Sequence, residues 1–278
     1  MTTPAERTAA LRAPLFVPAH REAMVRKALE GRTGADALII DLEDGVPVDS
    51  RAEAEAVMVS LADAGPISVP VYCRIRSGEQ QWREDLELVP AWCAGVVLAK
   101  SESAATVAAV GSRLRERLPG ARIWLLIESA LGVELLPVLI GACELVDGVM
   151  LGGGDLRADL RARATGDDAE LAYARSRLVV AAAAARIAHV VDTPEPAIQD
   201  AERLRRVSGL VRGLGFTGKA CIHPSQLSVV REAFAPTAEE TAWAQGVLGT
   251  GDGAQRVGGE MVDEATKRLA RSILAEAG

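Results

Sequence analysis

Eight short apolar runs, each followed by a stretch with helical periodicity, set the limits on how this chain can fold. They are Pro14–Ala19, Ala37–Asp41, Val69–Ile75, Gly95–Lys100, Ile123–Glu128, Gly148–Gly152, Ile187–Asp192 and Lys219–His223. Runs this short, without clean polar alternation, suit strands covered on both faces, the mark of a parallel sheet. Between them lie amphipathic stretches rich in Ala, Arg and Glu, among them Arg21–Glu30, Ser50–Asp63, Ala104–Leu118, Glu170–Ala185 and Asp200–Leu214. Eight such units in 278 residues predict a closed (β/α)8 TIM barrel of the α/β class rather than a doubly wound open sheet. The open sheet would bring a glycine-rich nucleotide fingerprint after its first strand, and neither G-x-G-x-x-G nor a Walker motif occurs there.

The chain continues well past the eighth run. Pro224–Phe234, a further helix reaching about Val247, a glycine-rich stretch over 249–259 and a last helix from about Val262 to Ala277 make up this tail. The division expected is a barrel over 1–234 and a C-terminal helical extension over 235–278, serving as a lid or an oligomer arm; a helix packed on its own barrel is the alternative. Aromatic residues are 3% of the chain, so Ala, Val, Leu and Ile must build the core. A formal charge of −7 speaks against nucleic acid or an anionic membrane as partner. No apolar run approaches the roughly 20 residues of a membrane span. The N-terminal residues lack a signal-peptide core, and the four cysteines lie far apart without zinc spacing, so a reduced, cytoplasmic protein is expected.

In a barrel the chemistry sits at the C-terminal ends of the strands. Here those ends carry Asp41, Glu43 and Asp44, Arg74 and Arg76, Lys100 and Glu102, Glu128, Asp155, Asp192, then Lys219 and His223. Any one alone reads as a loop residue or a structural ion pair; the set around one rim reads as a site. Glu128 and Asp155, without His or Cys beside them, make a hard oxygen pair suited to Mg²⁺ or Mn²⁺. Gly152, Gly153 and Gly154 let backbone come close to a ligand, although a tight turn with Asp155 as helix cap explains them equally. Arg74 has the charge to clamp a carboxylate or an enolate oxygen. Only four lysines stand against 27 arginines, so Lys100 and Lys219 at strand ends also raise imine chemistry as a rival.

Several segments together resemble the citrate lyase beta-chain-like (CitE-like) branch of the HpcH/HpaI aldolase superfamily. These are RAPLFVP at 12–18, IDLEDGV at 40–46, Arg74, LAKSE at 98–102, LIESALGV at 126–133, GGGDL at 152–156, GLGFTGKACIHPSQ at 213–226 and GEMVD at 259–263. The likeness runs in order from Arg12 to about Leu274. It implies a barrel lyase that breaks or forms a C–C bond in a citryl-, malyl- or citramalyl-CoA thioester, through an enolate. It further implies Mg²⁺ (or Mn²⁺) on Glu128 and Asp155, and Arg74 as catalytic arginine. Arg12, Lys100, Gly153 and Gly154 then fall at the substrate. Glu43 and Asp44 match the acidic motif supporting the metal through water, and Asp263 the acid–base residue delivered by a neighbouring subunit. A homotrimer or hexamer is implied; true citrate lyase beta chains also work with an acyl-carrier subunit, and the sequence leaves such a partner open. The chain departs from the pattern at Ala19-His20, Arg76, Gly154 and Glu264-Ala265, which puts the substrate in question. A metal-dependent aldolase on free hydroxy-oxo acids and a noncatalytic barrel subunit remain alternatives.

Overall fold

The computed structural model describes residues 11–64, 67–249, 255–257 and 260–277. Strand and helix alternate from the start: β1 (Pro14–Pro18) and α1 (Glu22–Leu29), β2 (Ala37–Asp41) and α2 (Arg51–Ser60), β3 (Val71–Ile75) and α3 (Glu79–Leu88), β4 (Gly95–Leu98) and α4 (Ala104–Arg117). The second half continues with β5 (Arg122–Ile127) and α5 (Ala130–Gly141), then β6 (Val146–Leu151) followed by α6 (Gly153–Leu160) and α7 (Ala172–Ala185). It ends with β7 (His189–Asp192) and α8 (Ala201–Leu214), β8 (Gly218–Lys219) and α9 (Leu227–Phe234).

All eight strands lie parallel in sequential order in one sheet. The chain just past the short β8 closes it into a barrel. Cys221 N donates to Pro14 O at 2.8 Å and Phe16 N to Cys221 O at 2.9 Å, while Lys219 N donates to Arg12 O at 2.9 Å. The seam needs glycine at 218, because an added Cβ would stand 2.5 Å from Leu11 O and 2.6 Å from Arg12 O. The (β/α)8 barrel expected from the eight apolar runs is thus the observed architecture.

Two-residue alternation decides what points inward. Ala37 and Ile39 of β2, Tyr72 of β3, Trp124 and Leu126 of β5, Met150 of β6 and Val191 of β7 share one buried interior cluster. Tyr72 and Trp124 pack there with ring centroids 4.5 Å apart, and His189 lies 5.2 Å from Trp124. Continuing the same parity upward brings Asp41, Arg74 and Glu128 to the inner rim. Parity also explains why Asp192 and Lys219 behave differently. They alternate with Val191 and Ala220, which are interior, so they face the surrounding helices.

The chain divides into two compact units between Ala233 and Phe234. The second holds α10 (Ala238–Leu248), β9 (Gln255–Val257), β10 (Glu260–Val262) and α11 (Glu264–Ala277). Ala244, Val247, Val262 and Ala270 form its own small core. Between α10 and α11 the described residues form an antiparallel pair, β9 with β10. Val262 ends a strand instead of opening the last helix, because Asp263 caps that helix by accepting from Thr266 N at 2.9 Å. No helix among the described residues is long and apolar enough to cross a membrane.

His189 is 3% exposed, and burial lowers its pKa from 6.5 to about 4. The unfolded chain therefore takes up this proton first as pH falls, so stability is lost between about pH 6.5 and pH 4. At pH 5 the loss attributable to this one ring comes to about 2 kcal/mol relative to pH 7. Urea unfolding at both pH values should show that difference removed in His189→Leu; an identical pH dependence in the two proteins would contradict the assignment.

Candidate active site

The inner rim opens into a cavity of about 390 Å³. Arg74, Glu128, Gly154 and Asp155 line it, together with Asp41, Arg157 and Thr193 and the apolar Phe16, Met150 and Ile222. Arg74, Glu128, Gly154 and Asp155, all expected at a site, are therefore brought to one cavity. Gly153 is buried behind it, donating its N–H to Thr193 Oγ1 at 2.9 Å.

Asp41 organises the β2 side. It pairs in register with Arg74 across β2 and β3, and accepts from Arg74 Nε at 2.6 Å and Nη2 at 2.5 Å. The same carboxylate accepts the N–H groups of Glu43 and Gly45 at 2.9 Å each, which turns the acidic loop back over the strand end. A side chain at Gly45 is excluded, since its Cβ would fall 2.1 Å from Asp41 Oδ2. Glu43 adds a second contact to Arg74, 3.2 Å from Nη1, and the Phe16 ring lies under the guanidinium at 5.1 Å. Burial works against the charge of Arg74, but Asp41, Glu43 and Glu128 outweigh it and raise its pKa, so it stays a cation. For Glu43, burial dominates and raises its pKa against the pull of Arg74 and Lys100.

Glu128 ends the interior row Trp124–Leu126–Glu128 at 4% exposure. Ser129 follows at once as the cap of α5, accepting from Gly132 N at 3.1 Å, which turns the chain away and leaves Glu128 at the mouth. Its Oε1 accepts the Lys100 N–H at 2.7 Å. Its Oε2 faces the Gly152 backbone, where an added Cβ would be only 2.6 Å away. Burial pushes its pKa up to about 8, the Glu43 and Asp155 carboxylates adding to this while the Lys100 amide and Arg74 oppose it. Asp155 lies in the first turn of α6; the cap is Gly152, not Asp155. Gly152 alone separates β6 from α6, so the tight strand-to-helix turn expected of the glycines is present and only its Asp155 cap is not. Position 152 also requires glycine for its close approach to Glu128.

The other expected residues lie around this centre. Lys100 binds Glu43 and Asp44 through its ammonium, the latter at 2.9 Å. Arg12 contributes its carbonyl to the barrel seam. Asp263 is in the second unit, capping α11. Arg76 is drawn off by Asp85, at 2.6 Å and 3.0 Å, and lines no part of the cavity. Lys219 is 1% exposed and held by Asp192 Oδ2 and Thr193 O, both at 2.6 Å, with Arg175 on the other side of Asp192. An imine-forming lysine must be neutral and reachable; Lys219 is enclosed, and although burial opposes the charge of Lys100, its two carboxylate partners raise that pKa. The cavity residue that the sequence pattern underrated is Asp41. Its signal was present, because at a strand end residues 41 and 43 share a side.

The donor set fits a small hard cation. Two carboxylates converge on a cavity, one of them buried with excess negative charge around it. No group of three or more His, Cys, Asp or Glu side chains able to hold an ion occurs among the described residues. Such a pair suits an ion that keeps waters and takes further oxygens from substrate, as Mg²⁺ does.

Removing one partner of the Asp41–Arg74 pair leaves the other buried, with side-chain exposures of only 4% and 13%, and with only its weaker contacts, the Glu43 and Gly45 amides for Asp41 or Glu43 for Arg74. Asp41→Asn and Arg74→Gln should each lower the unfolding free energy by about 2 kcal/mol, the cost of hydrogen bonds lost to a charged group that keeps other partners. The double variant should cost clearly less than the sum of the two. Strict additivity in urea titrations would show that the pair is not coupled.

Comparison with known proteins agrees with this fold. Residues 12–224 match the family HpcH/HpaI aldolase/citrate lyase. The citrate lyase subunit beta-like protein of Deinococcus radiodurans is 33% identical over 96% of this chain and 97% of its own. The mitochondrial citramalyl-CoA lyase of Rattus norvegicus is 28% identical over 95% of this chain and 85% of its own. The crystal structure of protein CitE from Mycobacterium tuberculosis, in complex with magnesium, acetoacetate and coenzyme A, superposes with a TM-score of 0.83 and 32% identity, covering 97% of this chain and 99% of that one. The chain belongs to the HpcH/HpaI aldolase/citrate lyase family.

Proposed function

We propose that this protein is a Mg²⁺-dependent carbon–carbon lyase that cleaves, or in reverse forms, a 3-hydroxyacyl-CoA thioester such as citryl-, malyl- or citramalyl-CoA. The observation that carries the reading is the meeting of Glu128, Asp155 and Arg74 in one 390 Å³ cavity. A volume of that size suits the acyl head group of such a substrate. Support also comes from relatives described as a citramalyl-CoA lyase and as a protein complexed with magnesium and coenzyme A.

Glu128 and Asp155 are the groups that hold Mg²⁺. When bound, the ion supplies Lewis-acid polarisation of a substrate oxygen. In the cleavage direction the 3-hydroxyl proton passes to a carboxylate base and the bond between C2 and C3 breaks. Its electron pair moves into the thioester as an enolate, and the hydroxyl carbon becomes the carbonyl of an oxo acid. Arg74 faces the enolate oxygen. Asp41 and Glu43 engage its Nε, Nη2 and Nη1 atoms, yet a guanidinium has five N–H donors, so it can hold the developing charge in a fixed direction. Asp263, delivered from the C-terminal arm of a neighbouring copy in a trimer or hexamer, is that carboxylate base: it takes the 3-hydroxyl proton and returns the same proton to C2.

Glu128→Gln should lose Mg²⁺ binding in calorimetry and lower kcat/KM on these thioesters by more than about 100-fold, beyond the usual cost of an outer-shell change. Asp263→Asn should lower kcat by about 10²–10⁴-fold, the range for general acid–base groups, with Mg²⁺ affinity unchanged. Full Mg²⁺ affinity and full activity in Glu128→Gln would overturn the reading.

A further inference from the structure

Lys100 stands out on backbone grounds. It has φ 44°, in the left-handed region, and only Arg161, Asp168 and Arg186 share that property among the described non-glycine residues. A lysine gains nothing there by itself; the conformation costs free energy and persists only where its surroundings hold it. Both ends of this residue are held. Its main-chain N–H, turned by the left-handed φ, donates to Glu128 Oε1 at 2.7 Å. Its ammonium, reaching the opposite way, is bound by Glu43 and by Asp44 at 2.9 Å. Glu43 in turn touches Arg74 at 3.2 Å. Lys100 does not line the cavity.

We propose that Lys100 is a positioning residue: the acidic loop after β2 fixes the Glu128 carboxylate through Lys100, with the ammonium as anchor and the amide as the contact. This assigns Lys100 to the support of Glu128 in place of substrate binding, and it gives Glu43 and Asp44 a direct protein path to that carboxylate. The proposal rests on the reading of Glu128 as a metal ligand. With Oε1 occupied by the amide, the carboxylate cannot rotate freely, and Oε2 is kept toward Gly152 and the cavity. Outer-shell partners of this kind commonly set metal affinity by 10–100-fold.

The sign of the effect separates positioning from simple charge. Deleting a nearby cation should, by Coulomb's law alone, make a divalent ion bind more tightly. If Lys100 positions Glu128, its deletion does the reverse. Calorimetric titration of the full-length protein with Mn²⁺ and Mg²⁺ should give at least about a 10-fold weaker dissociation constant for Lys100→Ala. Lys100→Gly should recover part of that loss, because glycine takes the left-handed φ without cost and keeps the amide. Amide hydrogen exchange of the segment 95–103 gives a readout that needs no metal: it should be faster in Lys100→Ala than in the parent protein and intermediate in Lys100→Gly.

Unchanged or tighter Mn²⁺ binding in Lys100→Ala, with a raised KM for the thioester, would make Lys100 a substrate contact and overturn the proposal while leaving the lyase reading intact. Absence of Mn²⁺ and Mg²⁺ binding in the parent protein would overturn the metal reading, and the exchange measurement would still decide whether Lys100 fixes the Glu128 carboxylate. Exchange equal in all three proteins would show that it does not. Thermal unfolding of each variant confirms that folded protein is being compared.

Discussion

Burial of the Glu128 carboxylate on the inner row of β5 is the constraint around which the rim is arranged. A carboxylate at 4% exposure resists ionisation, and its pKa near 8 reflects that cost. Two further carboxylates, Glu43 and Asp155, raise the cost, while the Lys100 amide and Arg74 offset only part of it. A buried carboxyl group with surplus negative charge around it is poised to exchange its proton for a divalent cation. The close approach of Gly152 and the immediate capping of α5 by Ser129 both follow from keeping this one group at the mouth of the barrel.

The cationic side is set by a second buried carboxylate. Asp41 binds Arg74 through two atoms and, through two backbone N–H groups, folds the acidic loop so that Glu43 reaches both Arg74 and Lys100. The chain Asp41–Arg74–Glu43–Lys100–Glu128 therefore connects β2, β3, β4 and β5 across the rim. Asp41 and Glu43 keep Arg74 charged and fix its direction, but they are themselves anions. In a protein of net charge −7 the positive field that an anionic substrate needs would come from Arg74 together with a bound cation.

Strand positions were legible in the sequence where composition alone decides: Ala37–Asp41 is β2 to the residue. Two helices outside the singled-out stretches show where pattern fails. α5 (ALGVELLPVLIG) is apolar on nearly all sides and gives no clean amphipathic stripe, while the buried face of α3 (EQQWREDLEL) is only Trp82, Asp85 and Leu86, a narrow stripe with a carboxylate in it. For the site, Glu128, Asp155 and Arg74 could be picked out as chemically suited residues at strand ends. What could not be read was who partners whom. Asp41 and Arg74 are 33 residues apart and meet through sheet register; Arg76 looked like an extra rim charge until Asp85 of α3 claimed it. Lys219 had the same apparent standing as Lys100, yet its outward parity sends it to Asp192, behind the sheet.

The most direct measurement follows the products made from each thioester with Mg²⁺ present, by mass spectrometry, alongside the corresponding free hydroxy acids. The lyase reading predicts equimolar acyl-CoA and oxo acid from at least one 3-hydroxyacyl-CoA, and no turnover of the free acids. Release of free coenzyme A alone, or cleavage confined to the free hydroxy-oxo acids, would contradict it.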